Sequence, residues 1–327
     1  LPAPIELTDV LDNGSHRMDL SSLNMLTLTA SLMVAATPIL FAATGELVTE
    51  RAGVLNLGVE GMMIVGAVVG FVIAVRSGDP WLGFLAAALA AALLALLFGV
   101  ITQIFLANQV ATGLGLTLFG LGCSALIGQG YIGVRAPRLP RLDLPWLSEL
   151  PVLGPVLFRH DPMVYLSIAL VLGVWWFLRQ TRAGLILRAV GENHDAAHGL
   201  GYPVVRVRLL AIAFGGACAG LGGAYLSLVR VPQWTEGMTA GAGWIALALV
   251  VFAAWRPLRL WLGAYLFGGL VVLQFNLQAA GVRIPVEYLA MSPYLVTIAV
   301  LVLMSSGWGR VALNAPGSLN RTFHRSQ

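Results

Sequence analysis

Residues 179–208 read RQTRAGLILRAVGENHDAAHGLGYPVVRVR, a polar stretch set between two long apolar segments. It carries Arg179, Arg182, Arg188, Arg206 and Arg208. Arginine clusters of that density beside apolar segments stay on the cytoplasmic side of a membrane, so this insert orients the chain. Within it, AGLILRAVGENHDAAHGLGY (183–202) predicts a short, strongly amphipathic helix stopped by Gly201 and Pro203. A membrane protein that presents such a helix to the cytoplasm has a surface there for a partner.

Composition places the rest of the chain in the bilayer. Of 327 residues 58% are hydrophobic and 10% charged, with a mean hydropathy of +0.85, whereas soluble domains carry about 25% charged residues. The expected fold class is all-α: a polytopic membrane protein of about eight to ten transmembrane helices, each roughly 20 residues long. That leaves no room for a sizeable extramembranous domain. All 19 basic residues are arginine. Without lysine the chain can supply neither the Walker A lysine that grips ATP phosphates nor a Schiff-base amine. If ATP powers transport, a separate subunit hydrolyses it. The net charge of +4 comes from arginines in loops beside apolar spans, so membrane topology explains it and no nucleic-acid partner is expected. Cys123 and Cys218 lie in apolar, small-residue stretches and read as packing residues.

Spanning segments are expected at Met25–Ala43, Val59–Val75, Trp81–Leu106, Val110–Ile132, Met163–Leu178, Leu209–Val229, Gly243–Trp255, Leu258–Leu277 and Tyr288–Met304. Several are short for a bilayer, which predicts broken or re-entrant helices. Three regions follow: a polar segment at 1–24, a transmembrane domain at 25–305 and a basic cytoplasmic tail at 306–327. Residues 1–21 lack the order of a signal peptide, and Met18 heads a candidate start, so 1–17 stand apart from the functional argument. With the 179–208 insert inside, alternation also puts Arg256, Arg259, Arg310, Arg321 and Arg325 inside and the N-terminus outside. The 134–161 loop falls outside despite Arg135, Arg138, Arg141 and Arg159; its Asp143, Glu149, Asp161 and run of prolines suit an ordered external cap. Glu236 and Glu287 are expected in external loops, solvated. Gly215, Ala219 and Gly223 recur at four-residue spacing, as do Gly216 and Gly220, so one helix offers two small faces for close helix packing.

Two polar groups lie where the membrane should be. Glu46, Glu50, Arg51, Asn56 and Glu60 fall in GELVTERAGVLNLGVEGMMIVGA, where Gly53, Gly58 and Gly61 allow a broken backbone. Charges at that depth are costly and point to a substrate-pathway or gating element, with a solvated interfacial elbow as the alternative. Asn108, Gln109 and Thr112 open the fourth span and either line a pore for a polar solute or cap a helix start. His194-Asp195-Ala196-Ala197-His198 has the spacing of a helical zinc pair, but the third ligand has no source and the acid is too short, so no metal site is expected.

Five motifs in order resemble a known family: TERAGVLNLGVEGMMIVGA (49–67), NQVATGLGLTLFGLG (108–122), TRAGLILRAVGENHDAAHGLGY (181–202), GGACAGLGGAYLSL (215–228) and GWIALALVVFAAWRP (243–257). Together they resemble ABC importer permeases of the branched-chain amino acid, ribose and nucleoside class, most like the sugar/nucleoside permease subunits that work with basic membrane protein-type binding proteins. The resemblance covers most of residues 25–305. It implies a multi-pass subunit of the bacterial inner (plasma) membrane, moving a nucleoside or sugar-like solute by alternating access. The implied partners are a second permease in a heterodimer, a cytoplasmic ABC ATPase that binds the ATP and Mg, an extracytoplasmic solute-binding protein and the lipid bilayer; this chain itself takes no cofactor and is not an enzyme.

By the same resemblance, Gly191, Glu192 and Asn193 form a turn and Asp195–Gly201 a coupling helix that docks into the ATPase, with Asp195, Ala196, Ala197, Leu200 and Gly201 among its contact residues. Glu50, Asn56, Glu60, Asn108, Gln109 and Thr112 are the candidate substrate path. This chain departs from the family pattern at Ala242, where relatives carry an arginine expected near the external mouth, and at His194, where proline is frequent. Two rivals remain: a secondary transporter whose Glu50 or Glu60 carries the coupling ion or proton, and a membrane metalloprotease built on HDAAH.

Overall fold

The computed structural model describes residues 25–140, 142, 158–279, isolated positions from 288 to 302, and 315–324. The polar segment 1–24, Arg141, Asp143, Glu149, Glu287, Arg310 and Arg325 lie outside the described residues, as does most of the expected span Tyr288–Met304. Ten α-helices, a 3-10 turn Gln129–Tyr131 and a π-turn are described: α1 Met25–Arg51, α2 Val59–Ser77, α3 Pro80–Gln103, α4 Gln109–Gly128, α5 Pro162–Gln180, α6 Arg182–Glu192, α7 His194–Gly199, α8 Val204–Tyr225 with its π-turn Leu226–Arg230, α9 Ala242–Phe252 and α10 Pro257–Ala279. Among the described residues β-structure is limited to two isolated bridges. Seven helices are long and apolar enough to cross a membrane, and α9 is a shorter apolar one.

The poles of the bundle follow from side-chain contacts. At one pole Arg51 donates from Nε and Nη2 to the Trp255 carbonyl (3.0 and 2.8 Å), beside Arg188, Glu192 and Arg256. At the other Arg76 donates to the Tyr131 hydroxyl (2.6 Å), and residues 132–135 bridge to 233–234. The polar insert, Arg256 and Arg321 share the first pole, as the alternation predicts. Asp161 fastens the opposite pole. One oxygen accepts from the amides of Met163 and Val164, starting α5, and the other accepts from the buried Tyr225 hydroxyl (2.8 Å). Arg138, Arg159 and Arg230 line a cavity of about 1280 Å³ there.

Helix α8 is the centre of the packing, and its small residues set how near its neighbours come. Gly215 faces Gly45 and Thr49 of α1, Gly216 and Gly220 face Ala91 and Ala87 of α3, and Gly223 faces the Met63 carbonyl of α2. Of the two small faces read from the sequence, one meets α1 and α2 and the other α3 and, through Gly66, α2 again. Lipid-facing positions are equally regular: Leu82, Leu85, Leu89, Leu93 and Leu97 of α3 are exposed while Phe84, Ala87, Ala91 and Phe98 are buried. Membrane helices apolar all round show this split between packing and lipid rather than between apolar and polar.

Several boundaries differ from the sequence expectation: α8 begins at Val204 rather than Leu209 and α9 ends at Phe252 rather than Trp255, and two further differences have a clear cause. Helix α1 continues past Ala43 to Arg51, because its polar residues are satisfied internally: the Thr44 and Thr49 hydroxyls bond to carbonyls four residues back. The single amphipathic helix expected over 183–202 is two. Asn193 is extended (φ −150°, ψ 99°), and its side chain accepts from the Ala196 amide, ending α6 and starting α7 in one residue.

Candidate functional site

The chain between α1 and α2 is the broken element the glycines anticipated. Ala52 and Gly53 turn out of α1, with Gly53 at φ 87°, and residues 54–56 are non-helical. Open backbone at membrane depth needs internal partners. Gln109 Oε1 accepts from the Leu55 amide (2.8 Å), Glu46 Oε1 from the Asn56 amide (3.2 Å), and Asn56 Oδ1 from the Gly58 amide (3.0 Å). The Thr117 hydroxyl donates to the Leu57 carbonyl (3.1 Å). Among the described residues, Glu46 Oε2 and Gln109 Nε2 stay buried without a partner, so the break holds spare hydrogen-bonding capacity.

Helix α2 begins directly after the break, and Glu60 in its first turn reaches the start of α9. The carboxylate accepts from the Thr239 hydroxyl (2.5 Å) and the amides of Gly241 (3.0 Å) and Gly243 (2.7 Å). A helix of 11 residues rises about 16 Å, roughly half the hydrocarbon core. Its far end lies at the insert pole, since Trp255 bonds Arg51. Helix α9 is therefore a half-helix in length, and its positive end meets the buried Glu60 inside the bundle. Ala242, its first residue, sits between the two glycines that bond Glu60, so an arginine there would stand beside the Glu60 carboxylate. At the other end Trp255 Nε1 donates to Glu50 (2.5 Å). Ala254 and Trp255 adopt left-handed backbone (φ 49° and 55°), a strain these contacts offset.

Of the six candidate path residues, Glu50, Asn56, Glu60 and Gln109 are buried around the break. Asn108 is exposed and its side chain accepts from the Ala111 amide, capping α4; Thr112 is half-buried one turn on. The partners that pin the carboxylates, Thr239 and Trp255, escaped the sequence reading because each is distant in sequence and carries no charge.

At the insert pole, α6 and α7 form a short platform. Glu192, Asn193, Asp195, Ala196, Leu200 and Gly201 are exposed, Leu200 at 76%. Gly191 and Ala197 face inward instead. A Cβ on Gly191 would strike the Arg51 carbonyl, so this glycine seats the platform against the end of α1, and Ala197 packs with Val190, Val204 and Phe323. Beneath them Arg208 is fully buried. Its Nε donates to the Ala52 carbonyl (3.2 Å) and its Nη1 to Gln103 Oε1 and the Arg321 carbonyl (both 3.1 Å), while Nη2 lies 3.2 Å from His194 Nδ1. The sequence reading counted Arg208 as one more topogenic arginine; its place at the start of a spanning segment was the available signal.

The expected zinc spacing has other occupants. The His194 and His198 rings both meet Phe323 edge-on (centroids 5.4 and 5.2 Å apart), and a guanidinium faces His194 Nδ1. That contact needs neutral His194 with its proton on Nε2, toward Asp195 Oδ1 at 3.6 Å. Burial lowers the His194 pKa from its usual 6.5, Arg208 and Arg321 lower it further, and Asp195 opposes them. The linkage sign follows: a histidine held neutral contributes fully above 6.5 and loses its contribution as pH falls below it. Amide exchange across 194–200, corrected for intrinsic rate, should therefore quicken between about pH 7 and pH 5.5. The same change in His194→Gln, which keeps an acceptor but cannot titrate there, would defeat this assignment.

Comparison with known proteins gives one consistent result. Residues 28–305 match the family model described as branched-chain amino acid transport system / permease component. TsgC13 of Haloferax volcanii, whose name provisionally makes it a glucose ABC transporter permease, is 41% identical over 313 residues, covering 89% of this chain and 95% of its own. The nucleoside ABC transporter permease protein NupC of Lactococcus lactis is 32% identical (84% of this chain, 90% of its own). The guanosine ABC transporter permease protein NupQ of Bacillus subtilis is 33% identical (87% and 93%). Haloferax volcanii and Bacillus subtilis each contribute a second match named for the same solute, TsgB13 and NupP. No solved structure matches significantly.

Proposed function

The chain belongs to the family of branched-chain amino acid transport system permease components, making it an ABC transporter permease subunit rather than an enzyme, and from that membership we propose that it imports a nucleoside or related sugar-like solute. The relatives that match along nearly their whole length are named for glucose, nucleosides and guanosine. Two organisms contribute such permeases in pairs, which supports a heterodimer with a second permease in the bacterial inner membrane. An extracytoplasmic binding protein delivers the solute. A cytoplasmic ABC ATPase binds ATP and Mg, consistent with a chain that has no lysine.

The observation that carries the mechanism is the platform of α6 and α7, exposed on one side and joined on the other to the end of α1 through Gly191 and Arg208. Closure of the ATPase pair pushes on Leu200 and Asp195, and rigid-body movement of the platform reaches the break at 52–58. That break and the Glu60-pinned half-helix form the gate. The spare polar atoms of Glu46 and Gln109 suit a hydroxyl-rich solute or the water that accompanies it. Glu50, Asn56, Glu60, Asn108, Gln109 and Thr112 then border the path, mostly by holding its backbone in place.

The test is uptake of a radiolabelled nucleoside and hexose panel by proteoliposomes containing both permeases and the ATPase, with binding protein and internal ATP. Native protein should need both. Asp195→Arg/Leu200→Arg leaves the Asn193 cap intact and removes an interface anchor worth about 2 kcal/mol, or ~30-fold in affinity, so uptake should fall by a similar factor. Uptake indifferent to ATP and to this variant would move the case to a gradient-driven carrier.

A further inference from the structure

The sequence places the basic tail on the cytoplasmic side and assigns it no contact. Residues 315–324 instead pack into the joint between α6 and α7. The Ser318 amide donates to the Gly191 carbonyl (2.8 Å), and the Ser318 hydroxyl accepts from the His194 amide (3.1 Å). One serine thereby satisfies an acceptor at the end of α6 and a donor at the start of α7. Gly317 fits only as glycine, since a Cβ would lie 2.6 Å from the Glu192 carbonyl oxygen. Phe323 is buried between the two histidine rings, against Val190, Ala197 and Val204.

The tail also reaches the ends of two spanning helices through one side chain. Arg208 bonds the Arg321 carbonyl, Ala52 at the break, Gln103 at the end of α3 and His194 of α7. No carboxylate oxygen lies within ion-pair distance of it among the described residues. Asp195 attracts it only from beyond ion-pair distance, so burying this guanidinium is costly, and stability is served better by an apolar side chain at such a site. What the arginine supplies is geometry: five donors in a rigid fork, able to hold several separate segments in register.

We propose that the segment 315–324 and Arg208 are a transmission strap, holding α7 rigidly to the turn after α1 so that movement of the ATPase-docked platform is delivered to the break at 52–58. This rests on the coupling role given to α6 and α7 above. Without the strap the platform still presents Leu200 and Asp195 to the ATPase, but pivots on the Asn193 joint. ATP is then hydrolysed without moving the gate. Arg208, Ser318 and Phe323 act as positioning residues, touching neither solute nor nucleotide.

The experiment measures ATP hydrolysed and solute taken up in the same proteoliposomes, for native complex, Ser318→Ala/Phe323→Ala, Arg208→Lys and Leu200→Arg. The expected result is that Ser318→Ala/Phe323→Ala co-purifies with the ATPase, hydrolyses ATP at near-native rate and loses about tenfold in solute moved per ATP. Arg208→Lys, which keeps the charge but not the fork, should lose part of that ratio. A native ratio in both strap variants overturns the strap, as does loss of hydrolysis, uptake and ATPase co-purification together, which would make the tail part of the docking surface. Leu200→Arg separates the two ideas. If it leaves uptake intact, the coupling role of the platform falls. If it abolishes uptake while the strap variants keep a native ratio, the strap alone falls.

Discussion

Glu60→Ala should produce a protein that inserts but unfolds early and transports nothing. Its carboxylate is 5% exposed and accepts from three donors, the Thr239 hydroxyl and the amides of Gly241 and Gly243. Two of those amides belong to the start of α9, where a helix has no internal acceptors. At a buried position no bulk water replaces a lost partner. Each stranded donor costs about 1–3 kcal/mol, and removing one side of a buried charged contact costs about 3–5 kcal/mol in all. Neighbouring backbone cannot slide over to compensate, since Gly243 already packs on the Glu60 backbone, where an added Cβ would lie 2.6 Å from the Glu60 Cα. Glu60→Gln keeps one acceptor oxygen but turns an amide donor toward donors, so its loss should be intermediate. Thermal unfolding in detergent and uptake in proteoliposomes check both. An alanine variant that melts within about 2 °C of native and transports normally would show that the half-helix is held by something other than Glu60.

The second large effect is expected at Gly220. It lies where α8 passes both α2 and α3: a Cβ on Gly66 would strike the Gly220 backbone, and a Cβ on Gly220 would strike the Ala87 carbonyl and come within 2.7 Å of the Ala91 Cβ. Backbone cannot rotate away as a side chain can. Gly220→Val must therefore push α8 off α3, and in lipid the separated surfaces gain no hydrophobic penalty that would draw them together again. Overpacking of this kind costs about 1–3 kcal/mol where side chains can adjust, and more where they cannot. The yield of monodisperse protein on gel filtration should collapse. Gly173→Val is the matched control, since nothing lies within 4 Å of a Cβ there, and it should behave as native. Equal behaviour of the two variants would mean that α8 is not close-packed at this level.

Legibility differed from element to element for identifiable reasons. The starts of α2 and α5 fell within a residue of expectation, because apolar runs bounded by glycine or by an aspartate cap are local signals. The end of α1 was missed by a full two turns. Glu46, Thr49 and Glu50 read as the close of a span, yet their partners, Asn56, Ala211 and Trp255, supply what water would have. The same blindness affected the path residues. A buried carboxylate was visible as an expensive group needing a role, and the glycines of 45–67 allowed a broken backbone. Whether Glu60 faced a solute or pinned a half-helix depended on a loop about 180 residues away. The tail was undervalued for a related reason: Ser318 and Phe323 are ordinary residues whose weight comes only from the joint they fill.

Sequence alone therefore determined the class of this protein: its all-α membrane architecture, its family and the glycine faces of α8, with glycines after α1 that allow a broken backbone. These rest on composition, periodicity and motif order, which are local or additive along the chain. Tertiary structure decided which polar groups are free and which are tied. It turned Gly191 and Ala197 inward and Leu200 outward, set Ala242 beside Glu60, and made Arg208 the meeting point of four segments. The physical reason is that a buried polar group is defined by its partner, and in a bundle the partners come from helices that are remote in sequence and adjacent only once packed.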